Sequence, residues 1–356
     1  MDASEKQRWL KLIGRPEDVS PSQEYTGTVS MKGEGDAAQV TGKKLLFVAP
    51  QTSFLTDIIR QVGKRNEVKV YDGARVNETV DLMEWADLAW FEWCDKPLIE
   101  ATRQPKTCPI ICRLHSGEAF TELPAQVTWG RVDHLLFVNR SVQELFVRSQ
   151  SARPSMSIIP NAVDLDRFYL PEDKTYNKKI AVVGYLNYKK NPALLLYCFK
   201  KIYEYDNEYT LHVAGLHQDP RIKLYFDHFL AENPLPVCYE GWVEDMPLWL
   251  EDKSYVMSTS LFEAFHYSVA EGMASGLMPL IHNWYGAAGL YPSDYLFDDP
   301  DDCLALIRRL EQEDRPSLAR KNREFVACRY DVNQITDKIM RLMAGVLHTG
   351  HGIAVE

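Results

Sequence analysis

A chain of 356 residues exceeds what one hydrophobic core usually organises, so we expect two domains. With 46% hydrophobic and 25% charged residues, its composition is that of an ordinary soluble globular protein. The formal net charge of −10 argues against a nucleic-acid partner, because nucleic acids are bound by basic surfaces.

The location of the protein is predicted from what the chain lacks. Its N-terminus has no apolar core of the kind found in signal peptides, and no apolar run reaches the ~18–20 residues that cross a bilayer. The seven cysteines are scattered, and the Cys108 and Cys112 pair matches no common zinc or redox spacing. We expect a cytoplasmic protein with free thiols. Peripheral attachment to the inner face of a membrane stays open, because Arg60, Lys64 and Arg65 are cationic.

In chain order, an extension over 1–42, interrupted by glycine and proline, precedes a regular alternation of apolar strands and helices. This alternation predicts a parallel sheet covered by helices on both faces. The strands predicted in this first series are 45–49, 67–71, 88–92, 109–114, 134–138 and 155–159.

A segment rich in turn-forming residues at 160–171 then predicts a linker, after which a second series begins. Two such series predict an α/β protein with two Rossmann-like domains facing a central cleft. The predicted domains are 43–170 and 171–330, with a C-terminal helical segment at 331–356 that packs back toward the first domain. The strands predicted in the second series are 179–184, 210–215, 237–241, 254–260 and 278–282.

One segment of the second series carries the clearest chemical signal. A predicted strand at 254–260 leads into a helix that follows Glu263 and contains Glu271. A strand that feeds a helix N-terminus presents free backbone N–H groups to an anion. A carboxylate on each side suits a ligand with phosphates in the middle and sugar hydroxyls at both ends, which is a nucleotide sugar. The alternative is a surface unit with two solvated glutamates.

Several ordered motifs around this segment resemble those of the retaining glycosyltransferases of family 4, which have the GT-B fold. The resemblance covers most of 43–347. The matching segments are 159–168 (I-P-N-G-V-D-x-x-x-F in the family), 183–191 (V-G-R-L-x-x-x-K-G/N), 211–215 (L-x-I-x-G), 239–243 (F-x-G-x-V), and 260–279, with both glutamates and A-x-G-x-P.

The resemblance implies three catalytic residues. Lys190 would meet the donor diphosphate, where a fixed ammonium stabilises the leaving charge without a metal. Glu263 would touch the transferred sugar, and His115, after the strand at 109–114, would lie near that sugar. The alternatives are a surface lysine beside Lys189 and a histidine that merely occupies a turn.

The resemblance also implies the donor-binding set. Glu271 would accept hydrogen bonds from the ribose hydroxyls, and the backbone at the helix N-terminus would line the phosphate pocket. The complete donor-binding set is Gly184, Tyr185, Lys190, Glu263, Ala264, Phe265, His266, Tyr267 and Glu271.

The chain also departs from the family pattern. Tyr185 stands where an arginine is expected, so one phosphate cation is missing, and His266 stands where a glycine is usual. The acidic run at 298–302 offers a D-x-D pattern, but it precedes a helix, and we interpret it as a helix cap.

The predicted function is a metal-independent, retaining glycosyltransferase that needs no cofactor. Its donor would be a UDP- or GDP-sugar, and its acceptor a glycan, a lipid or a protein. Two alternatives stay open: a sugar epimerase or phosphorylase with the same fold, and a non-catalytic partner subunit that binds nucleotide or glycan.

Overall fold

A computed structural model describes residues 40–52, 54–150 and 154–349. Most of the predicted extension, 1–39, therefore lies outside the described residues. The described chain forms two compact units. The first comprises the residues up to Asn161 and those from Asn333 onward, and the second spans Ala162–Val332.

The first unit is built on a six-stranded sheet in which every pair of neighbours is parallel. The strand order is β2-β1-β3-β4-β5-β6. Strands β3, β4 and β5 are buried along their whole length, as expected of a sheet covered on both faces. The strands are β1 Lys44–Val48, β2 Glu67–Tyr71, β3 Leu88–Glu92, β4 Ile110–Leu114, β5 His134–Phe137 and β6 Ser155–Ile158. The helices are Thr56–Val62, Val76–Trp85, Lys96–Ala101, Ser116–Ala119, Leu123–Gln126, Arg140–Ser149 and Val332–Thr349.

The second unit repeats this plan with another six-stranded parallel sheet. Its order, β12-β11-β10-β7-β8-β9, reverses direction between β7 and β10. The strands are β7 Lys179–Val183, β8 Thr210–Ala214, β9 Val237–Gly241, β10 Tyr255–Ser258, β11 Met278–His282 and β12 Leu296–Phe297. The helices are Pro192–Tyr205, Pro220–Glu232, Met246–Glu251, Tyr267–Ala274, Ala287–Leu290, Pro300–Glu311 and Arg315–Tyr330.

Local sequence explains where several of these helices begin. Proline stands in the first turn of five helices of the second unit that an Asp or Asn side chain caps. The interpretation of 298–302 as a cap is confirmed, because Asp299 accepts hydrogen bonds from the backbone N–H groups of Asp301 and Asp302.

The predicted pair of parallel Rossmann-like sheets is confirmed, and some elements were missed. The helix Arg315–Tyr330 was not predicted, since its apolar residues follow no strong helical stripe. The two-residue strand β12 is too short to leave a periodic signal. Among the described residues, no helix combines the length and apolar character that crossing a bilayer requires.

Candidate active site

The second unit has a pocket where its strand order reverses. In open parallel sheets, ligands bind at the carboxyl ends of the strands next to such a reversal, since the flanking connections diverge there. Strands β7 and β10 are these neighbours. A small pocket lies at their carboxyl ends, lined by Gly184, Lys190, Ser258, Thr259, Ser260 and His266 among others.

Two glycines keep the backbone at this edge close-packed. Gly184, directly after β7, has φ +129°, and a Cβ there would lie 3.4 Å from Lys190 Cε. Gly215, after β8, has φ +152°, and its Cβ would lie 2.0 Å from the Gly184 carbonyl oxygen. A side chain at either position would be strained in the backbone, and at Gly215 it would also collide with the Gly184 carbonyl, so both motif glycines have a steric reason.

Lys190 is held by the turn that follows β7. The side chain of Asn187 accepts a hydrogen bond from the Lys190 backbone N–H, and Asn191 adopts a left-handed conformation with φ 48°. Asn191 in turn caps the helix Pro192–Tyr205. The Thr259 hydroxyl donates to the Lys190 carbonyl at 2.8 Å. The lysine backbone is thus tied to the segment after β10.

The Lys190 side chain meets Glu263. Its Nζ donates to Glu263 Oε1 at 2.7 Å, and the Ser260 hydroxyl donates to the same oxygen at 2.9 Å. The second carboxylate oxygen lies 2.6 Å from Lys189 Nζ. Burial raises the pKa of Glu263, but the ammonium groups of Lys190 and Lys189 outweigh it and hold that pKa at about 2. Burial lowers the pKa of Lys190, and Glu263 offsets part of this effect.

His266, the unexpected residue, completes this cluster as a neutral ring. Burial and the charge of Lys190 lower its pKa to about 3. Its Nε2 lies 3.3 Å from Lys190 Nζ, and Nδ1 lies 2.9 Å from the Ser268 hydroxyl. An ammonium only donates, so Nε2 is the acceptor and the ring proton is on Nδ1. The imidazole therefore fills space and orients Lys190 without adding charge.

The N-terminus of the helix Tyr267–Ala274 follows directly. His266 occupies its N-cap position with no side-chain cap, and the His266 carbonyl accepts from the buried hydroxyl of Tyr291. The neighbouring Ala264 and Phe265 are buried, and the Phe265 ring packs edge-on against Tyr267 at 5.0 Å. The first turn of a helix presents N–H groups that have no intrahelical acceptor, which is a favourable place for a phosphate.

Glu271 lies in the same helix, and its environment differs from that of Glu263. It is partly buried, and burial raises the pKa of its carboxyl to about 7, with the charge of Arg167 lowering it slightly. The sequence placed both glutamates at the donor; their opposite pKa shifts are visible only in the fold.

Tyr185 does not line this pocket. The residue is 42% exposed, and its ring lies 6.2 Å from the ring of Trp242, which is 65% exposed. The position where the family arginine is expected therefore contributes an aromatic surface at this edge.

The first unit has its own cluster at the equivalent place, because its strand order reverses between β1 and β3. Glu92, at the end of β3, is fully buried and paired with Arg113 of β4 at 2.7 Å. The Nε2 atom of His115 lies 2.7 Å from Glu92 Oε1. Burial raises the pKa of Glu92, yet Arg113 and His115 together hold it at about 2. An ionised Glu92 only accepts, so His115 donates from Nε2.

Trp93 is the strained residue of this cluster. It is a bulky side chain with φ +95°, a conformation that costs about 1–3 kcal/mol and concentrates at functional sites. Its ring lies 4.4 Å from the ring of His115, and Phe54 flanks both. Nothing in the local sequence marks a tryptophan with positive φ.

No group of three or more His, Cys, Asp or Glu side chains suited to a metal occurs among the described residues.

Residues 177–313 match the family model described as "Glycosyl transferases group 1". Together with the fold, this match supports a glycosyltransferase. The sequence matches none of the curated proteins with which it was compared.

Solved structures show the same fold. The Anabaena Alr3699/HepE structure in complex with UDP-glucose has a TM-score of 0.73 at 15% identity, covering 85% of this chain and 99% of that one. A glycosyltransferase from Rickettsia africae has a TM-score of 0.68 at 12% identity, covering 87% and 100%. The pneumococcal O-GlcNAc transferase GtfA, in complex with UDP and GlcNAc, has a TM-score of 0.61 at 16% identity, covering 76% and 59%. The predicted GT-B fold is confirmed.

The structure brings four residues of the predicted donor set together and adds one. Gly184, Lys190 and His266 line one pocket, and Glu263 contacts Lys190, whereas His115 belongs to the other unit. Lys189 was weighed only as a surface neighbour of Lys190. Its contact with Glu263 has no signal in the sequence beyond the doubled lysine.

Proposed function

We propose that this protein is a retaining, metal-independent glycosyltransferase of family 4 that takes a nucleotide sugar as donor. The observation that carries the proposal is the contact of Lys190 with Glu263 beside an uncapped helix N-terminus, at the strand reversal of the glycosyltransferase domain. A cation, a helix N-terminus and a buried carboxylate close together match a diphosphate joined to a sugar.

Each group then has a role in transfer. The departing nucleoside diphosphate gains negative charge as the bond from the anomeric carbon to the phosphate oxygen breaks. Lys190 and the N–H groups at 265–267 stabilise that charge. The acceptor hydroxyl attacks the same face of the sugar, and a diphosphate oxygen takes its proton. Glu263 orients the sugar, and Glu271 accepts from the ribose hydroxyls.

We propose a uridine nucleotide as the first donor to test, because the HepE and GtfA structures contain UDP. The acceptor is a glycan, a lipid or a protein hydroxyl, and we place the reaction in the cytoplasm. We also propose that His115, which contacts Glu92 and stacks on Trp93, acts on the transferred sugar.

Calorimetric titration with UDP and GDP, followed by turnover with the matching nucleotide sugars, tests the proposal. We expect one nucleotide to bind wild-type protein, and Lys190→Ala to lower turnover at least ~10-fold, or about 1.4 kcal/mol of transition-state stabilisation. Lys201→Ala is the matched control, since Lys201 pairs with Asp301 on the surface of the same unit.

The outcomes separate the alternatives. Wild-type turnover in Lys190→Ala would show that the site is misassigned. Nucleotide binding without hydrolysis or transfer would favour a partner subunit. Isomerisation of the nucleotide sugar without an acceptor would favour an epimerase, and phosphate-dependent release of sugar phosphate a phosphorylase.

A further inference from the structure

Lys189 makes a contact that an ordinary surface lysine does not make. Its Nζ lies 2.6 Å from Glu263 Oε2, while Lys190 Nζ lies 2.7 Å from Oε1 of the same carboxylate. The Glu263 side chain is only 5% exposed, so two ammonium groups converge on one buried anion.

The backbone around Lys189 is built to hold this arrangement. The Leu261 N–H donates to the Lys189 carbonyl at 2.8 Å, as the Thr259 hydroxyl does to the next carbonyl along the chain. Both lysines are therefore anchored to the segment that leads from β10 to Glu263. Tyr188, immediately before them, is 76% exposed, so the turn directs Lys189 inward and Tyr188 outward.

The charges of the cluster do not cancel. Lys189 and Lys190 each carry one positive charge, Glu263 carries one negative charge, and the buried ring of His266 is neutral. One positive charge is left over beside the helix N-terminus. Each ammonium also has three N–H donors, more than its contact with Glu263 uses. An anionic ligand that accepts several hydrogen bonds fits this excess.

We propose that Lys189 is the second cation of the donor site and binds the diphosphate together with Lys190. This inference rests on the proposed function. It supplies the positive charge that Tyr185 does not provide, because the Tyr185 ring is uncharged and lies against Trp242. On donor binding, the diphosphate takes over hydrogen bonds from the ammonium groups, and the Glu263 oxygens become free to accept from sugar hydroxyls.

Binding of UDP, inorganic pyrophosphate and uridine to wild type, Lys189→Ala, Lys189→Arg and Lys201→Ala tests this, with GDP and guanosine used if wild type prefers them. We expect Lys189→Ala to lower the affinity for the nucleoside diphosphate and for pyrophosphate about tenfold or more, because a hydrogen bond from a charged group is lost. Binding of the nucleoside should not change. Lys189→Arg, which keeps the charge, should stay close to wild type.

A double-mutant cycle separates a direct contact from an effect through Glu263. If Lys189 binds the diphosphate, Lys189→Ala lowers the affinity for the diphosphate in the Glu263→Gln background as well. If the loss disappears there, Lys189 acts only by pairing with the carboxylate, and the inference is overturned. Equal nucleoside diphosphate affinities of Lys189→Ala and Lys201→Ala also overturn the inference. If Lys190→Ala alone lowers this affinity, the proposed function is still supported. If wild type binds neither UDP nor GDP, both fail together.

Discussion

Two glutamates on one short segment show how strongly a neighbour controls a carboxyl group. Glu263 and Glu271 are both withdrawn from solvent, and burial raises the pKa of each. Two ammonium groups reverse this effect at Glu263, whereas Glu271 has only the charge of Arg167 nearby. At neutral pH, Glu263 is therefore firmly ionised, while Glu271 titrates near neutrality.

Glu271→Gln should stabilise the protein more at high pH than at low pH. The folded-state pKa of Glu271 is raised to about 7, so the folded protein holds a proton that the unfolded chain has lost. Wild-type stability therefore falls as pH rises through about 7. Glutamine does not titrate, so the variant lacks this loss. We expect the gain in the free energy of unfolding at about pH 8.5 to exceed the gain at about pH 6 by on the order of 1 kcal/mol.

Thermal or urea unfolding of both proteins at the two pH values measures the difference. A gain in stability that is the same at both pH values would mean that Glu271 does not titrate in the folded protein over this range. The substitution should also weaken nucleotide binding, since an amide accepts fewer hydrogen bonds from ribose hydroxyls than a carboxylate.

At the scale of elements, a single glycine sets the distance between the donor helix and its sheet. A Cβ at Gly272 would lie 2.8 Å from Val256 Cγ1 of β10. The helix Tyr267–Ala274 therefore lies close on the sheet, and this places its first turn at the pocket. The position of the helix and the proposed phosphate site are therefore coupled through this contact.

Gly272→Ala should lower both stability and nucleotide affinity. The added methyl group must push the helix away from β10, which typically costs about 1–3 kcal/mol. Gly289→Ala is the matched control, because a Cβ at Gly289 meets nothing within 4 Å. Melting temperature and UDP titration measure the two effects. Equal melting temperatures and UDP affinities in the two variants would show that a methyl group at Gly272 does not displace the helix.

At the scale of the whole molecule, the same topological feature appears twice. Each sheet reverses its strand order, between β1 and β3 in the first unit and between β7 and β10 in the second. Polar clusters lie at both reversals, but only the second holds an excess of cations near a helix N-terminus. We assign nucleotide binding to the second unit for this reason.

His115→Ala should therefore separate transfer from nucleotide binding. We expect turnover to fall about tenfold or more, because a group that contacts the transferred sugar acts on the chemical step. The affinity for UDP should stay at the wild-type value, since the residues proposed to bind it are in the second unit. Unchanged turnover with a lowered melting temperature would indicate that His115 only supports the stacked rings of Trp93 and Phe54.

Much of this organisation could be predicted from sequence. Apolar runs bounded by glycine and proline marked the strands, and the acidic run at 298–302 marked a helix start, because these signals depend on neighbouring residues. The helix Arg315–Tyr330 and the strained Trp93 could not be predicted, since their conformations depend on packing against distant residues.

The sequence by itself determined the two series of strands and helices, the glycine turns after β7 and β8, and the residue types available to a donor site. Only the tertiary structure decided which of these side chains meet. Lys190 and Glu263 lie 73 residues apart in the chain, and Lys189 joins them only because the turn after β7 is anchored to the segment after β10. Local patterns specify elements, whereas the protonation of Glu263, His266 and Glu271 follows from burial and charge that exist only once the sheet has formed.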